Sequence, residues 1–276
     1  MNLVNRICTS LTDALLGVFS GWSPALLLIA ISAVLGILMA IVFRFTSQQA
    51  QLKRVADLSR AQVLAIKLFK DELGTMFVSL GRLFRYTGLR LWYSLPPALV
   101  MVIPFVLVLV QLARWYEHSP LVDGDVAMLE FHLNEADWSR HEQLQLEAAA
   151  PLELTHRHND AVEKVVTWNV HAHGDDAASI DWRLGDLTGT KRIAIGASRD
   201  ALAPVDAQIA GPSFWDRLLY PGEPAFASDA PIREVTLQVH ERDTPILGLN
   251  VPWWLTFLVV SILVAMLVRP LVGVQF

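Results

Sequence analysis

Cysteine is almost absent from this sequence, since Cys8 is the only one among 276 residues. One cysteine excludes a disulfide within the chain and a metal site built from several thiolates. The sequence also lacks a glycine-rich phosphate loop, a Gly-x-Ser-x-Gly elbow and an HExxH motif, which mark nucleotide hydrolases, serine hydrolases and zinc proteases. We therefore expect no enzymatic activity and no cofactor.

Charged residues are missing from three long apolar runs, at residues 24–43, 95–112 and 251–268. Each run is about long enough to cross the roughly 30 Å hydrocarbon core of a bilayer. The whole chain is 53% apolar with a mean hydropathy of +0.40, which is too apolar for one water-soluble domain of this size. The pattern predicts an integral membrane protein with transmembrane helices at 23–44, 93–114 and 251–269. A transporter coupled to ions or protons is disfavoured, because such proteins usually carry an ionisable residue within the membrane.

The segment between the first two spans, residues 45–92, contains eight basic residues and three acidic ones. An excess of Lys and Arg in a short connecting segment predicts that the segment lies in the cytoplasm. The N-terminus is then outside, and residues 270–276 form a cytoplasmic tail. No residue between Arg44 and Asp71 breaks a helix, and apolar residues then recur at the 4-3-4 spacing of a helix seam. The seam residues are Leu73, Phe77, Leu80 and Phe84. We expect a cytoplasmic helical hairpin, with coiled-coil-like packing and a turn near Gly74.

The first 20 residues lack the features of a removable signal peptide, since they have no convincing apolar h-region and no small-residue cleavage site. Apolar residues recur there at helical spacing, at Leu3, Val4, Ile7, Leu11, Leu15 and Val18. This pattern favours an external amphipathic helix lying in the membrane interface. A merely apolar lead-in to the first span is the alternative.

Residues 115–250 differ in composition from the rest of the chain. From residue 114 to residue 250 there are 23 acidic and 11 basic residues, which fits a domain outside the cytoplasm. Apolar and polar residues alternate in five segments, with apolar positions at 127–133, 144–148, 166–172, 180–184 and 235–239. Alternation of this kind is typical of strands with one buried face, and several short strands predict an antiparallel β-sandwich. Trp168 and Trp182 are predicted to lie in its core on adjacent strands, and residues 201–230 to form a long connection.

Two His-x-His elements, His156 with His158 and His171 with His173, are the most suggestive metal-ligand pattern in the sequence. Residues two apart lie on the same face of a strand, as a metal site on a sheet would require. No carboxylate or cysteine is spaced to complete such a site. We therefore interpret these histidines as solvent-facing strand residues.

Two stretches flank the membrane around the basic segment: FRFTSQQAQLKRVADLSRAQVLAIKLFKDEL leaves the first span, and LRLWYSLPPALVMVIPFVLVLVQL enters the second. With the third span, this order resembles the minimal three-helix core of the YidC/Oxa insertase superfamily, over residues 22–112 and 251–268. The resemblance rests on topology. It implies a membrane-protein insertase or membrane chaperone, without a cofactor, whose groove opens to the cytoplasm and receives hydrophobic segments at the hairpin.

Such a groove needs polar or helix-distorting residues inside the membrane. The available residues are Ser32, Pro104, Gln111 and Ser261, and the expected residues at the mouth are Arg44, Arg82, Arg85 and Arg90. Alternatively, the two serines only satisfy backbone carbonyls within a tight bundle, and the glutamine lies at the interface.

A second functional hypothesis is a scaffold or sensor in which the external β-sandwich binds an envelope partner. The expected partners are membrane lipids and either nascent membrane-protein segments or other envelope membrane proteins, with no nucleic acid. We expect the protein to lie in a bacterial inner membrane.

Overall fold

The structure is a computed structural model, which describes residues 3–19, 21–69, 72–246 and 249–273. The chain divides into two compact units. One unit contains Met1–Leu28 and Leu107–Trp254, and the other contains Ile29–Val106 and Leu255–Phe276. The α-helices are α1 (Leu3–Val18), α2 (Pro24–Thr46), α3 (Gln49–Leu68), α4 (Leu73–Tyr116), α5 (Phe214–Leu219) and α6 (Trp253–Val272), and a 3-10 helix lies at Glu135–Gln143.

Three of these helices, α2, α4 and α6, are long and apolar enough to cross a membrane. The chain is therefore a membrane protein, and the prediction of three spans is confirmed at this level. The boundaries of α4 differ from those predicted, because the second arm of the hairpin and the second span form one helix of 44 residues. At about 1.5 Å per residue this helix is about 66 Å long, roughly twice the hydrocarbon core. It continues through Pro96, Pro97 and Pro104.

The basic segment is helical, but its details differ from the prediction in two ways. The helix that contains Arg44 ends at Thr46, and α3 begins at Gln49, so α2 and α3 are separate helices. The second difference is in the seam, because Leu73, Phe77, Leu80 and Phe84 are all exposed. The buried residues of α3 are Leu52 and Val55, near its start. The rest of α3 therefore provides no buried apolar surface that could cover the seam of α4.

The residues from 117 to 250, here called the β domain, contain two main antiparallel sheets. The strands are β1 (Val126–Leu133), β2 (Leu144–Ala148), β3 (Leu152–Asp160), β4 (Val165–Ala172), β5 (Ala178–Leu184), β6 (Leu187–Ile193), β7 (Gln208–Ile209), β8 (Ile232–Gln238), β9 (Pro245–Ile246) and β10 (Leu249–Asn250). A five-stranded sheet has the order β3-β4-β1-β8-β7, and a three-stranded sheet has the order β2-β5-β6. Strands β9 and β10 form a separate pair.

Both sheets contribute their alternating apolar residues to one hydrophobic core, as expected for a β-sandwich. Trp168 and Trp182 are both buried there. Their predicted placement on adjacent strands is wrong, because Trp168 lies in β4 of one sheet and Trp182 in β5 of the other. Phe131 lies between them, with ring centroids 5.7 Å from Trp168 and 6.1 Å from Trp182.

Strands β3 and β6 do not show the alternation from which β1, β2, β4, β5 and β8 were predicted. Strand β3 has one buried residue, Leu152. Strand β6 carries Gly189 and the basic pair Lys191 and Arg192 where apolar and polar residues would otherwise alternate. Both strands lie at the edge of a sheet, where one side is open and the demand for a continuous apolar face is weaker.

Candidate functional site

A cavity of about 510 Å³ is lined by residues of all three membrane-spanning helices. Helix α2 contributes Gly36, Met39, Ala40 and Phe43; α4 contributes Ala98, Met101, Val102 and Phe105; and α6 contributes Leu258, Ser261, Ile262, Ala265, Met266 and Arg269. All of these residues belong to one compact unit. The helices therefore share a recess and are not packed closely along their whole length.

One wall of the cavity depends on a glycine. A Cβ atom added to Gly36 would lie 2.4 Å from the backbone oxygen of Ser261, which shows how closely α2 approaches α6. Small residues permit this kind of close approach between membrane helices. The Ser261 hydroxyl donates a hydrogen bond to the Leu258 carbonyl oxygen at 3.0 Å. Ser261 thus lines the cavity while its hydroxyl satisfies a backbone carbonyl, as the tight-bundle alternative proposed for the serines.

The cavity lining is almost wholly apolar and includes three methionines, Met39, Met101 and Met266. Methionine has an unbranched and adaptable side chain, and it is common at surfaces that bind varied apolar partners. Arg269 is the one charged residue in the lining. Arg269 is the first charged residue after the third apolar run in the sequence. This position could have indicated that it belongs to the site.

The structure separates the residues that were predicted to line the groove. Ser261 lines the cavity, whereas Ser32, Pro104 and Gln111 are not among its lining residues. Ser32 is fully buried and Pro104 is exposed. Gln111 is buried in the other compact unit, where its side-chain amide donates to the Thr9 hydroxyl oxygen at 3.2 Å.

The predicted mouth residues, Arg44, Arg82, Arg85 and Arg90, also lie outside the cavity lining. The first three are exposed and Arg90 is half-buried. Whether they surround the mouth of a groove stays a prediction. Among the described residues, no three side chains of His, Cys, Asp or Glu come together as a metal site. The predicted metal-ligand candidate His171 contacts the Thr155 hydroxyl through its Nε2 atom at 2.9 Å.

A second group of polar residues, which sequence reasoning missed, is centred on Arg114 at the C-terminal end of α4. Its guanidinium donates to Asp206 Oδ1 at 2.7 Å and to Asp13 Oδ1 at 3.1 Å. Trp115 Nε1 also donates to Asp13 Oδ1, at 3.1 Å. Because Asp13 lies in α1 and Asp206 in the β domain, this arginine connects three parts of one compact unit.

The network continues into β6 of the β domain. Lys191 forms a buried ion pair with Glu223, and Arg192 contacts Asp206 at 2.8 Å. Burial raises the pKa of Glu223 more than Lys191 lowers it. Burial also acts to raise the pKa of Asp206, but its hydrogen bonds and its cationic neighbours outweigh that effect and lower it. The network contains three cationic side chains and three carboxylates, so its formal charges cancel. This balance fits a structural role.

These features define an integral membrane protein with three apolar helices and an antiparallel β domain, in which the helices enclose an apolar recess. Comparison with known proteins returns no matching family model, no similar curated protein and no similar solved structure.

Proposed function

We propose that this protein is a membrane-protein insertase or membrane chaperone of the YidC/Oxa type, which receives hydrophobic segments at the cavity between its three spans. The cavity itself is the observation that carries the proposal. A bundle serving only as an anchor gains stability from complete packing of its interior. A recess lined by all three spans is instead a place where another apolar segment can bind.

The charge distribution supports a cytoplasmic position for residues 45–92, which contain eight basic and three acidic residues. The β domain then lies outside the cytoplasm. The apolar face of α1 supports an interfacial position for this helix, because Ile7, Leu11, Leu15 and Val18 are all exposed. In this orientation Arg269 marks the cytoplasmic end of the cavity.

The chemistry of the cavity fits a non-covalent mechanism. Its volume is in the range of pockets that hold drug-sized ligands, so it accommodates several apolar side chains of one face of a segment. Burial there stabilises a bound segment by about 25 cal/mol for each Å² of apolar surface removed from water. The flexible methionines Met39, Met101 and Met266 allow segments of different sequence to bind, as an insertase with many clients requires.

The exposed seam of α4 gives such a segment a first contact outside the membrane. Leu73, Phe77 and Phe84 are more than half exposed, and the exposed Arg82 and Arg85 lie on either side of Phe84 in the sequence. Hydrophobic patches of this kind on a protein surface commonly mark interaction sites. We expect the seam to contact a hydrophobic segment before the segment reaches the cavity.

Site-specific crosslinking tests the proposal. A photo-crosslinking amino acid is placed at position 98, which lines the cavity, or at position 99, which is 65% exposed and outside the lining. Radiolabelled ribosome-bound chains carrying a membrane segment are then presented to inverted membrane vesicles. We expect position 98 to crosslink the nascent segment and position 99 to crosslink mainly lipid. Equal crosslinking to the nascent segment at both positions would remove the support for a specific cavity.

A scaffold or sensor that binds an envelope partner through its β domain is the second candidate function. An open sheet edge beside a cleft in the β domain favours it. Depletion of the protein separates the two candidates. Loss of membrane-protein insertion measured within minutes indicates the first, whereas intact insertion with a defect confined to the envelope indicates the second.

A further inference from the structure

Strand β6 forms one edge of the three-stranded sheet, so only one of its sides is paired, to β5. In an antiparallel pair, residues alternate between those that bond to the neighbouring strand and those whose backbone groups point away from it. The backbone N–H of Arg192 points away from β5, because it donates to Glu223 Oε1 at 2.7 Å. By the same alternation, the backbone groups of Thr188 and Thr190 also point outward.

These outward groups lie at an accessible position. Thr188 and Thr190 are both exposed. Within the part of the chain that the structure describes, no other strand pairs with this side of β6. An edge of this kind presents unpaired donors and acceptors at the spacing of a second strand.

A cleft of about 860 Å³ runs along the same edge of the β domain. Leu187 of β6 and Ile209 of β7 lie on its two sides, and Phe226 and Ala230 come from the connection before β8. The cleft therefore opens between the edge strands of the two sheets and has a largely apolar lining.

Trp182 lies in the wall of this cleft and has an unsatisfied donor. Its side chain is 5% exposed, yet its Nε1 atom has no hydrogen-bond partner among the described residues. Gly189 lies against this part of the ring, since an added Cβ would be 2.6 Å from Trp182 Cε2, the carbon bonded to Nε1. Buried donors are almost always hydrogen-bonded in folded proteins. The Nε1 atom is itself covered by neighbouring atoms, so the indole N–H serves as a reporter of changes in the cleft wall.

We propose that the free part of the β6 edge, at Thr188 and Thr190, binds an extended peptide segment of a second envelope protein, which adds a strand beside β6. Alternate side chains of the bound segment enter the cleft, whose wall includes Trp182. This inference concerns the β domain alone, and it stands whether or not the membrane cavity receives hydrophobic segments.

The outward backbone groups favour a peptide as the occupant, because an acyl chain offers no partners for them. Strand addition of this kind obtains affinity from main-chain hydrogen bonds and specificity from pockets for alternate side chains. Glu147, Asp181 and Arg183 line a smaller groove of about 360 Å³ on the other face of β5 and β6. The side chains that point away from the cleft are therefore expected to be polar, with basic residues favoured by the two carboxylates.

The test uses a capped, fluorescein-labelled peptide that alternates valine and lysine and has the seven-residue length of β6. Binding to the full-length protein in nanodiscs is measured by fluorescence anisotropy at peptide concentrations up to about 1 mM, the range of weak recognition. Thr190→Pro removes an outward N–H but no backbone hydrogen bond to β5, and proline is tolerated at sheet edges. Both Thr190→Pro and Thr190→Val lose the hydrogen bond from the Thr190 hydroxyl to Asp181 Oδ1 at 2.7 Å, so the two variants differ in the N–H. Thr190→Val is the matched control, because it changes the side chain and keeps the N–H.

We expect saturable binding that weakens at least about tenfold in Thr190→Pro and is retained in Thr190→Val. A peptide N-methylated on alternate amides should lose binding to the unchanged protein, which keeps the test valid even if Thr190→Pro does not fold. The indole N–H resonance that disappears in Trp182→Phe should shift when peptide binds.

Three outcomes would overturn the proposal. They are the absence of saturable binding, equal binding of the N-methylated peptide, and a dimer of the protein that dissociates in Thr190→Pro. The last outcome would assign the edge to a second copy of the chain.

Discussion

The close approach of α2 to α6 gives a stability prediction at Gly36. A methyl group added there would lie 2.4 Å from the Ser261 oxygen and 3.2 Å from its carbonyl carbon and Cα. All three atoms belong to the backbone, so the methyl group cannot be accommodated by a side-chain rotation and the helices must move apart. Gly36→Ala should therefore destabilise the bundle. Insertion of methyl groups into well-packed interiors typically costs about 1–3 kcal/mol.

Gly36→Ala also has a stabilising effect on the free energy of unfolding, and a control variant is needed to separate the two effects. Alanine is about 0.8–1.0 kcal/mol more favourable than glycine inside a helix. Gly88→Ala in α4 isolates this gain, because a Cβ at Gly88 would meet nothing within 4 Å. The free energies of unfolding of the two variants should thus differ by about 1–3 kcal/mol, with Gly36→Ala the less stable.

Reversible unfolding in mixed micelles, followed by circular dichroism, measures this difference. The same preparations also serve for crosslinking from position 98, which should decrease in Gly36→Ala because the cavity wall has moved. If Gly36→Ala proves as stable as Gly88→Ala, then α2 and α6 do not approach as closely as the structure shows, and the shape of the cavity must be revised.

Three further predictions concern the β domain and the orientation of the chain. Trp168→Ala should lower the free energy of unfolding by about 3–5 kcal/mol. Trp215→Ala at an exposed position is the control and should change it by less than about 0.5 kcal/mol. Equal effects of the two substitutions on thermal unfolding would contradict the assigned core. Asp206→Asn should cost about 3–5 kcal/mol by breaking a buried pair. The pKa of Asp206 is lowered in the folded protein, so its contribution to stability is present above its ordinary pKa and is lost as pH falls through the lowered pKa. The free energies of unfolding of the variant and the natural protein should therefore become equal in acid. In a cysteine-free background, an impermeant maleimide added outside should label Asp176→Cys and leave Thr87→Cys unlabelled, and the reverse pattern would refute the proposed orientation.

The spans and most of the sandwich strands could be predicted because their signals are local. An uncharged apolar run identifies a span without reference to the rest of the chain, and strict alternation identifies a strand that has one buried face. Strands β3 and β6 lack that alternation. Their positions depend on pairing with β4 and β5, which is a non-local property that no window of sequence contains.

The cavity could not be predicted because a helix that is apolar on all sides does not show which face meets its neighbours. Polar residues inside the spans were the available guide. Of these, Ser261 lines the cavity, while Gln111 pairs with Thr9 of α1, a residue 102 positions away. The recess is otherwise lined mainly by apolar residues of different sizes, from glycine and alanine to methionine and phenylalanine, and these sizes matter only after the helices are placed.

The buried network around Arg114 shows the same limit for charged residues. Arginine at the end of a membrane helix normally extends to the interface, so its position in the sequence indicates no partner inside the protein. Its side chain is 5% exposed because Asp13 and Asp206 approach it from opposite parts of the chain. Since a buried pair is costly to break and adds little over apolar packing, the network contributes mainly to orientation. It fixes α1 and the β domain to the end of α4 within one compact unit.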